Sequence, residues 1–221
     1  MKEKEKVIII LSGGMDSATL LGKLISEDKE VHAITFDYSQ RHKKEIECAK
    51  ELCTYYGIKN HEIVSFPTFG GSALTDDIEV PEGHYSSENM KITVVPMRNA
   101  IMLCLAASYA ESNNINKIFY GAHAGDMAVY WDCRVEFLDR MKDMLYENDL
   151  HDMTIVAPFL DLDKGDIACL GKSLDVPYRY TWTCYKGREK ACGKCGSCQE
   201  RKEAFEKAKL KDPIKYEEET K

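Results

Sequence analysis

The sequence predicts an α/β protein: a doubly wound, mostly parallel sheet with a small cysteine-rich module at its C-terminal end. Three observations predict it. Short β-branched runs alternate with segments of helical periodicity from Val7 to Leu174. The first strand stops abruptly at Ser12-Gly13-Gly14-Met15-Asp16-Ser17, a junction of glycines and hydroxyls that restarts as a helix. After Pro177 the composition turns to Cys, Gly and Lys. At 221 residues, 44% of them hydrophobic, the chain suffices for one sizeable core with a small appendage.

The elements follow in order. Val7–Leu11 is rich in isoleucine and reads as a strand, and Ser17–Ser26 as a helix. Val31–Phe36 is the next strand, followed by a helix from about Lys43 to Tyr56 that Gly57 ends. His61–Phe66 is the third strand. From Pro67 to Lys91 the rhythm breaks, with Gly70-Gly71, Pro81 and Gly83, so residues 67–92 read as a lid or substrate loop. The pattern resumes with a helix over Asn99–Asn113, a strand over Lys117–Ala122, and a helix over Val135–Asn148. A strand Thr154–Pro158 and a helix Lys164–Leu174 complete four or five strands. Residues 1–178 are assigned to the α/β domain and 179–221 to the cysteine module with a helix.

Composition excludes several classes. Met1–Lys6 is a charged leader and Val7–Leu11 is too short for a secretory core, so a cytoplasmic location is expected. No apolar stretch reads as a membrane span; Ile101–Ala110 is the richest run. A net charge of −7 argues against stable nucleic-acid binding. Lys186, Arg188, Lys190, Lys194, Arg201 and Lys202 read as a solvated face. Nine cysteines in such a chain suggest thiols or metal ligands in place of disulfides.

The glycine junction lies at the carboxyl end of a strand, where open parallel sheets bind ligands. Glycines let the backbone approach a phosphate, and the N–H groups of the next helix point at it. Ser12, Ser17 and Thr19 add hydroxyls. A Walker loop is excluded because its lysine is missing, and a dinucleotide fingerprint because the glycines are adjacent. What fits is Ser-Gly-Gly-x-Asp-Ser, which resembles the loop of the PP-loop ATP pyrophosphatases, a group of the adenine nucleotide alpha hydrolase-like fold. That resemblance implies cleavage of ATP between the α and β phosphates and transfer of AMP to a substrate oxygen. It implies nucleotide contacts from Leu11, Ser12, Gly13, Gly14, Met15, Asp16, Ser17, Ala18, Thr19, Leu20 and Leu21. A carboxylate such as Asp16 repels bare phosphate, so its place in the loop makes sense beside magnesium.

Cys184, Cys192, Cys195 and Cys198 have the spacing C-x7-C-x2-C-x2-C. Four thiolates on turns permitted by Gly193 and Gly196 suit tetrahedral zinc, one per chain, with no open position and hence a structural role. An iron–sulfur cluster is the competing reading.

Four further blocks identify the acceptor. Phe36-Asp37-Tyr38-Ser39-Gln40-Arg41-His42, Val95-Pro96-Met97-Arg98-Asn99, Gly121 to Leu138, and Thr183-Cys184-Tyr185 with the cysteines all resemble the 7-cyano-7-deazaguanine synthase family of queuosine biosynthesis. The resemblance implies an ATP-dependent ligase acting on 7-carboxy-7-deazaguanine and ammonia. An adenylated carboxylate gives an amide, an adenylated amide gives the nitrile, and AMP leaves with pyrophosphate or phosphate. It also implies a homodimer. On these blocks Arg98 is the candidate clamp for the substrate carboxylate, with Asn99, Asp126, Asp132 and Arg134 as further substrate contacts. Asp16, Arg98, Asp126 and Lys164 are the catalytic candidates, Asp126 as a proton acceptor and Lys164 as a phosphate ligand. The family pattern Tyr-Pro-Asp-Cys-Arg is departed from at Trp131, and Ala128 stands where a small hydroxyl or glycine is usual. A deazaguanine amide-forming or base-transferring relative, a PP-loop tRNA thiolase and a nucleotide sensor without turnover are the alternatives.

Overall fold

The run Val7-Ile8-Ile9-Ile10 is buried on both faces, as only an interior strand of a two-sided sheet can be. The computed structural model, which describes residues 3–84 and 88–217, places it there. Five parallel strands, β1 (Lys6–Ile10), β2 (Glu30–Asp37), β3 (Asn60–Ser65), β4 (Lys117–Phe119) and β5 (Thr154–Val156), pair in the order β3-β2-β1-β4-β5. The chain winds outward from β1 to β3, then returns to the other side of β1 with β4. The strand order therefore reverses between β1 and β4, and a crevice opens at their carboxyl ends.

Strand alternation sends Val7 and Ile9 to one face of β1 and Ile8 and Ile10 to the other. The first face carries α1 (Met15–Ser26), α2 (Lys44–Tyr56), α5 (Lys164–Ser173) and α6 (Gly196–Lys207), through Leu21, Leu52, Ile167 and Phe205. The second carries α3 (Arg98–Ser112) and α4 (Val135–Tyr146), through Leu103, Ala106, Leu138 and Met141. The helix stops follow local chemistry. Gly57 ends α2 at φ +66°, and Asp163 opens α5 with a reciprocal capping box to Asp166.

Two strands are shorter than the sequence predicts. The run Lys117–Ala122 pairs only to Phe119, and Thr154–Pro158 only to Val156. Beyond them ladder pairing gives way to an isolated bridge, His123 with Phe159, and a bond from the Ala124 N–H to the Leu162 carbonyl at 3.0 Å. Met90–Ser112 does reach the length and hydropathy of a span. It is interrupted before Arg98, however, and Leu103, Ala106 and Ala110 are fully buried against the sheet, so α3 is a core helix.

The loop 67–92 is extensively packed where it is described; residues 85–87 lie outside the described residues. Ala73, Leu74 and Val80 are buried, and Ala73 and Val80 join an apolar cluster with Trp182 and the four clustered cysteines. Glu82 bridges Cys195 in antiparallel fashion, and the Gly83 N–H donates to the Lys194 carbonyl at 3.1 Å. The cysteine module is bound to the main core as well, because α6 packs on α5. Arg201 of α6 is fully buried and forms a fork to Asp212 at 2.8 and 3.0 Å, with further bonds to Thr181 and Thr183.

Removing one partner of such a pair strands a buried charge. Asp212→Ala is expected to destabilise the protein by about 3 kcal/mol. Denaturant unfolding followed by circular dichroism checks it, and a loss below about 0.5 kcal/mol, the surface-substitution range, would contradict the assigned role.

Candidate active site

The crevice at the switch point is a cavity of about 200 Å³. Its floor is the glycine junction. Gly13 has φ +84°, and a Cβ there would stand 2.0 Å from the Glu45 carbonyl of α2, so no other residue fits. The Gly13 carbonyl accepts from the Trp182 N–H at 2.9 Å, which brings the cysteine module to the loop. Ser12 Oγ lies 3.1 Å from Ser17 Oγ and accepts from the Gly14 N–H at 3.2 Å. With α1 starting at Met15, the first-turn N–H groups have no intrahelical acceptors. Hydroxyls, free amides and the helix dipole together make an anion cradle.

Of the residues predicted for nucleotide, Leu11, Ser12, Gly14, Met15, Asp16 and Ser17 line the cavity, with Gly13 directly behind them. Ala18, Leu20 and Leu21 point into the core, and Thr19 bonds to the Met15 carbonyl and the Tyr178 hydroxyl. At the cavity edge stands a cluster of charges. Lys164 Nζ is 2.6 Å from Glu200 Oε2 and 3.4 Å from Asp16 Oδ2. Burial alone would lower the Lys164 pKa, but Asp16, Glu200 and Asp126 outweigh it and the net shift is upward, so the ammonium persists. His123 is fully buried; its Nδ1 accepts from the Gly125 N–H at 3.1 Å, which assigns the proton of the neutral ring to Nε2. That Nε2 faces Asp126 at 3.5 Å and Asp16 at 3.8 Å. Asp16 Oδ1 is buried with no hydrogen-bond partner, as a carboxylate awaiting a cation would be.

The far wall is aromatic. Phe36, Tyr38, Tyr120, Tyr130 and Tyr185 line it around Arg98. Arg98 follows Met97, a non-glycine residue at φ +58°, and this turn aims it inward. Its Nη1 donates to the Tyr38 hydroxyl at 3.3 Å, while its Nε is buried with no acceptor. Burial pushes the Tyr38 phenol up to about 12, so it stays a neutral partner. A planar guanidinium with an unused donor, enclosed by rings, suits a flat aromatic carboxylate.

The remaining predicted contacts divide. Asn99 and Asp126 line the cavity; Asp132 and Arg134 do not. Asp132 is buried and accepts from the Asn99 N–H at 3.2 Å, capping α3, and Arg134 Nε donates to the Met127 carbonyl at 3.0 Å. Trp131 meets Phe137 edge-to-face at 5.4 Å and stays outside the cavity lining, so this departure from the family pattern does not touch the cavity wall. The Ala128 side chain lies outside the described residues. Sequence reasoning missed Glu45, Tyr130 and Ser197 in the lining and Glu200 behind it. Tyr185 and Ser197 each adjoin a clustered cysteine, which was the available signal.

The sulfurs of Cys184, Cys192, Cys195 and Cys198 all lie within 4.8 Å of one another, in no disulfide and fully enclosed. Tetrahedral coordination at about 2.3 Å requires sulfurs about 3.8 Å apart, and Cys192 and Cys198 stand at 3.9 Å. The N–H groups of Cys192, Lys194 and Cys195 donate to cluster sulfurs at 3.3 to 3.4 Å. The residues fit a single four-coordinate metal ion and leave no position for substrate.

Two outcomes follow from this geometry. Gly13→Ala is expected to cost at least about 2 kcal/mol by forcing α2 off the loop; wild-type stability would refute the close approach. Cys195→Ser is expected to lose its metal ion and lower the unfolding midpoint by at least about 5 °C. Full stability with metal analysis unchanged would contradict a structural site.

Comparison with known proteins agrees with this geometry. The chain is 50% identical to the 7-cyano-7-deazaguanine synthase of Pseudoalteromonas atlantica, over 96% of this chain and 99% of that one. It is 52% identical to the protein of that name from Methanoregula boonei, with the same coverage. Among solved structures, an NMN synthetase from Francisella tularensis superposes with a TM-score of 0.52 at 21% identity, over 80% of this chain and 64% of that one. A 4-thiouridine synthetase in complex with RNA and ATP gives 0.50 at 15%, over 93% and 50%. These two likenesses show the shared fold. The family model described as queuosine biosynthesis protein QueC matches residues 6–209, and the chain belongs to that family.

Proposed function

We propose that the chain is a 7-cyano-7-deazaguanine synthase, an ATP-dependent ligase that turns 7-carboxy-7-deazaguanine and ammonia into the nitrile. The observation that carries this reading is the single cavity in which an anion cradle faces a half-buried guanidinium, its Nε enclosed, ringed by aromatics. ATP places its phosphates on Ser12, Ser17 and the first turn of α1, with Lys164 at their side. Asp16 would hold magnesium through its unpartnered oxygen, and the ion would supply neutralisation of phosphate charge. The base slots among Phe36, Tyr38, Tyr130 and Tyr185, and Arg98 holds its carboxylate near the α-phosphate.

The chemistry balances over two rounds. A carboxylate oxygen attacks the α-phosphorus and pyrophosphate leaves. Ammonia adds to the acyl carbon, a proton departs, and AMP leaves with the oxygen to give the amide. The amide oxygen then attacks the α-phosphorus of a second ATP, pyrophosphate leaves and one N–H proton departs to give the adenylated imidate. Loss of its remaining N–H proton as AMP leaves forms the nitrile. Each N–H loss needs a base. Asp126, in the lining and faced by His123 Nε2, is the acceptor we assign. The four-thiolate metal is zinc, holding the wall that carries Trp182, Tyr185 and Ser197. The family likeness supports a cytoplasmic homodimer, checked by sedimentation and fractionation.

Incubation with ATP, magnesium, ammonium and 7-carboxy-7-deazaguanine, followed by mass analysis of the base, tests the reading. The amide and then the nitrile are expected; a folded, metal-loaded sample yielding neither would overturn it. Asp16→Ala is expected to reduce AMP release by about 100-fold or more with metal content intact, and undiminished turnover would remove Asp16 from its role. Metal analysis giving iron in place of zinc would correct the metal assignment.

A further inference from the structure

Lys164 occupies a position that electrostatics disfavours. It is the first residue of α5, at the positive end of the helix dipole, and its side chain is 8% exposed. Its nearest acid is none of the cavity carboxylates. Glu200 Oε2 stands at 2.6 Å, against 3.4 Å for Asp16. Glu200 does not line the cavity. It projects from α6, whose first turns hold Cys195 and Cys198, and its other oxygen lies 3.0 Å from where a Gly125 Cβ would stand. It is therefore wedged between the start of α5 and the turn that carries Asp126.

We propose that Glu200 is a positioning residue, which holds the Lys164 ammonium at the cavity wall and out of full contact with Asp16. The inference rests on the synthase reading of this cavity. Without the Glu200 carboxylate, Nζ turns to Asp16 Oδ2, which already stands at 3.4 Å, and the pair closes to an ordinary contact of about 2.8 Å. That contact neutralises the carboxylate whose other oxygen, Oδ1, would hold magnesium, and draws the ammonium away from the phosphates. The wedge under Gly125 lets the acid come from α6, outside the cavity lining, so that it adds no further carboxylate to Asp16 and Asp126 beside ATP. The cysteine module thus reaches the nucleotide loop by a second route beside the Trp182 N–H, from Glu200 to Lys164 to Asp16.

The test uses the metal-loaded full chain and three variants, Glu200→Gln, Lys164→Met and the double substitution. Binding of magnesium with α,β-methylene-ATP, which cannot be cleaved at the reacting bond, is measured by calorimetry beside steady-state kinetics. Glu200→Gln is expected to weaken analogue binding about tenfold and lower kcat about tenfold or more. KM for the base stays within about twofold, because nothing around Arg98 touches Glu200. The double variant is expected to bind and turn over within about twofold of Lys164→Met alone, since Glu200 acts through that lysine. Wild-type binding and kcat in Glu200→Gln, or losses in the double variant that multiply, would overturn the proposal. If Glu200→Gln loses its metal, Glu200→Asp carries the test. Its charge is kept and its reach is one methylene shorter, and a kcat lowered about fivefold with metal retained supports positioning. An unaltered kcat in that variant contradicts it. A wild-type chain that binds the analogue yet releases no AMP sinks the synthase reading, and the analogue titration then decides this proposal alone.

Discussion

The close approach of α2 and the Trp182 segment to Gly13 is the constraint on which the site depends. No side chain separates the loop from the Glu45 carbonyl, and the Gly13 carbonyl bonds to the Trp182 N–H. Three distant parts of the chain therefore meet at one residue: the end of β1, the start of α2, and the segment leading into the cysteine module. Gly121 adds a fourth, because a Cβ there would stand 3.5 Å from the Asp16 and Ser17 backbone, so the β4 chain also runs close to α1. The reversal of strand order opens the crevice, and the glycines let its walls close around it.

Buried charge then divides the cavity into two halves. One end holds Asp16, Asp126, Lys164 and Glu200, an acid-rich group balanced by one ammonium and suited to magnesium with polyphosphate. The other holds a guanidinium with an unused Nε, beside the Tyr38 phenol that burial keeps neutral, suited to an organic anion. Desolvation would make either arrangement costly without a ligand of the complementary sign. The cysteine module supplies wall residues to the second half and Glu200 to the first, so the fold around the four thiols shapes both.

Much of this was legible in the sequence, for physical reasons that particular residues show. The isoleucines of β1 and the glycines behind them define a strand, a turn and a phosphate site through local sterics alone. Cys184 to Cys198 announce a metal because four thiols so close in sequence meet in space almost unavoidably. What the sequence left hidden depends on tertiary contact. Asp132 caps a helix 33 residues away, and Glu200 pairs with Lys164 across 36. The turns Ala124–Ala128 and Trp131–Cys133 have no periodicity to read. Both predicted strands that ended early do so where the sheet parts to make the cavity, a feature no strand propensity encodes.

The central claim is that both ATP molecules are attacked at the α-phosphorus in this one cavity, first by a carboxylate oxygen and then by the amide oxygen. Base labelled with oxygen-18 in both carboxylate positions, turned over in ordinary water with ATP, magnesium and ammonium, tests it directly. The account predicts two AMP per nitrile, each carrying one labelled oxygen by mass spectrometry, with none in pyrophosphate. Label in inorganic phosphate or pyrophosphate would place the attack on another phosphorus and contradict it.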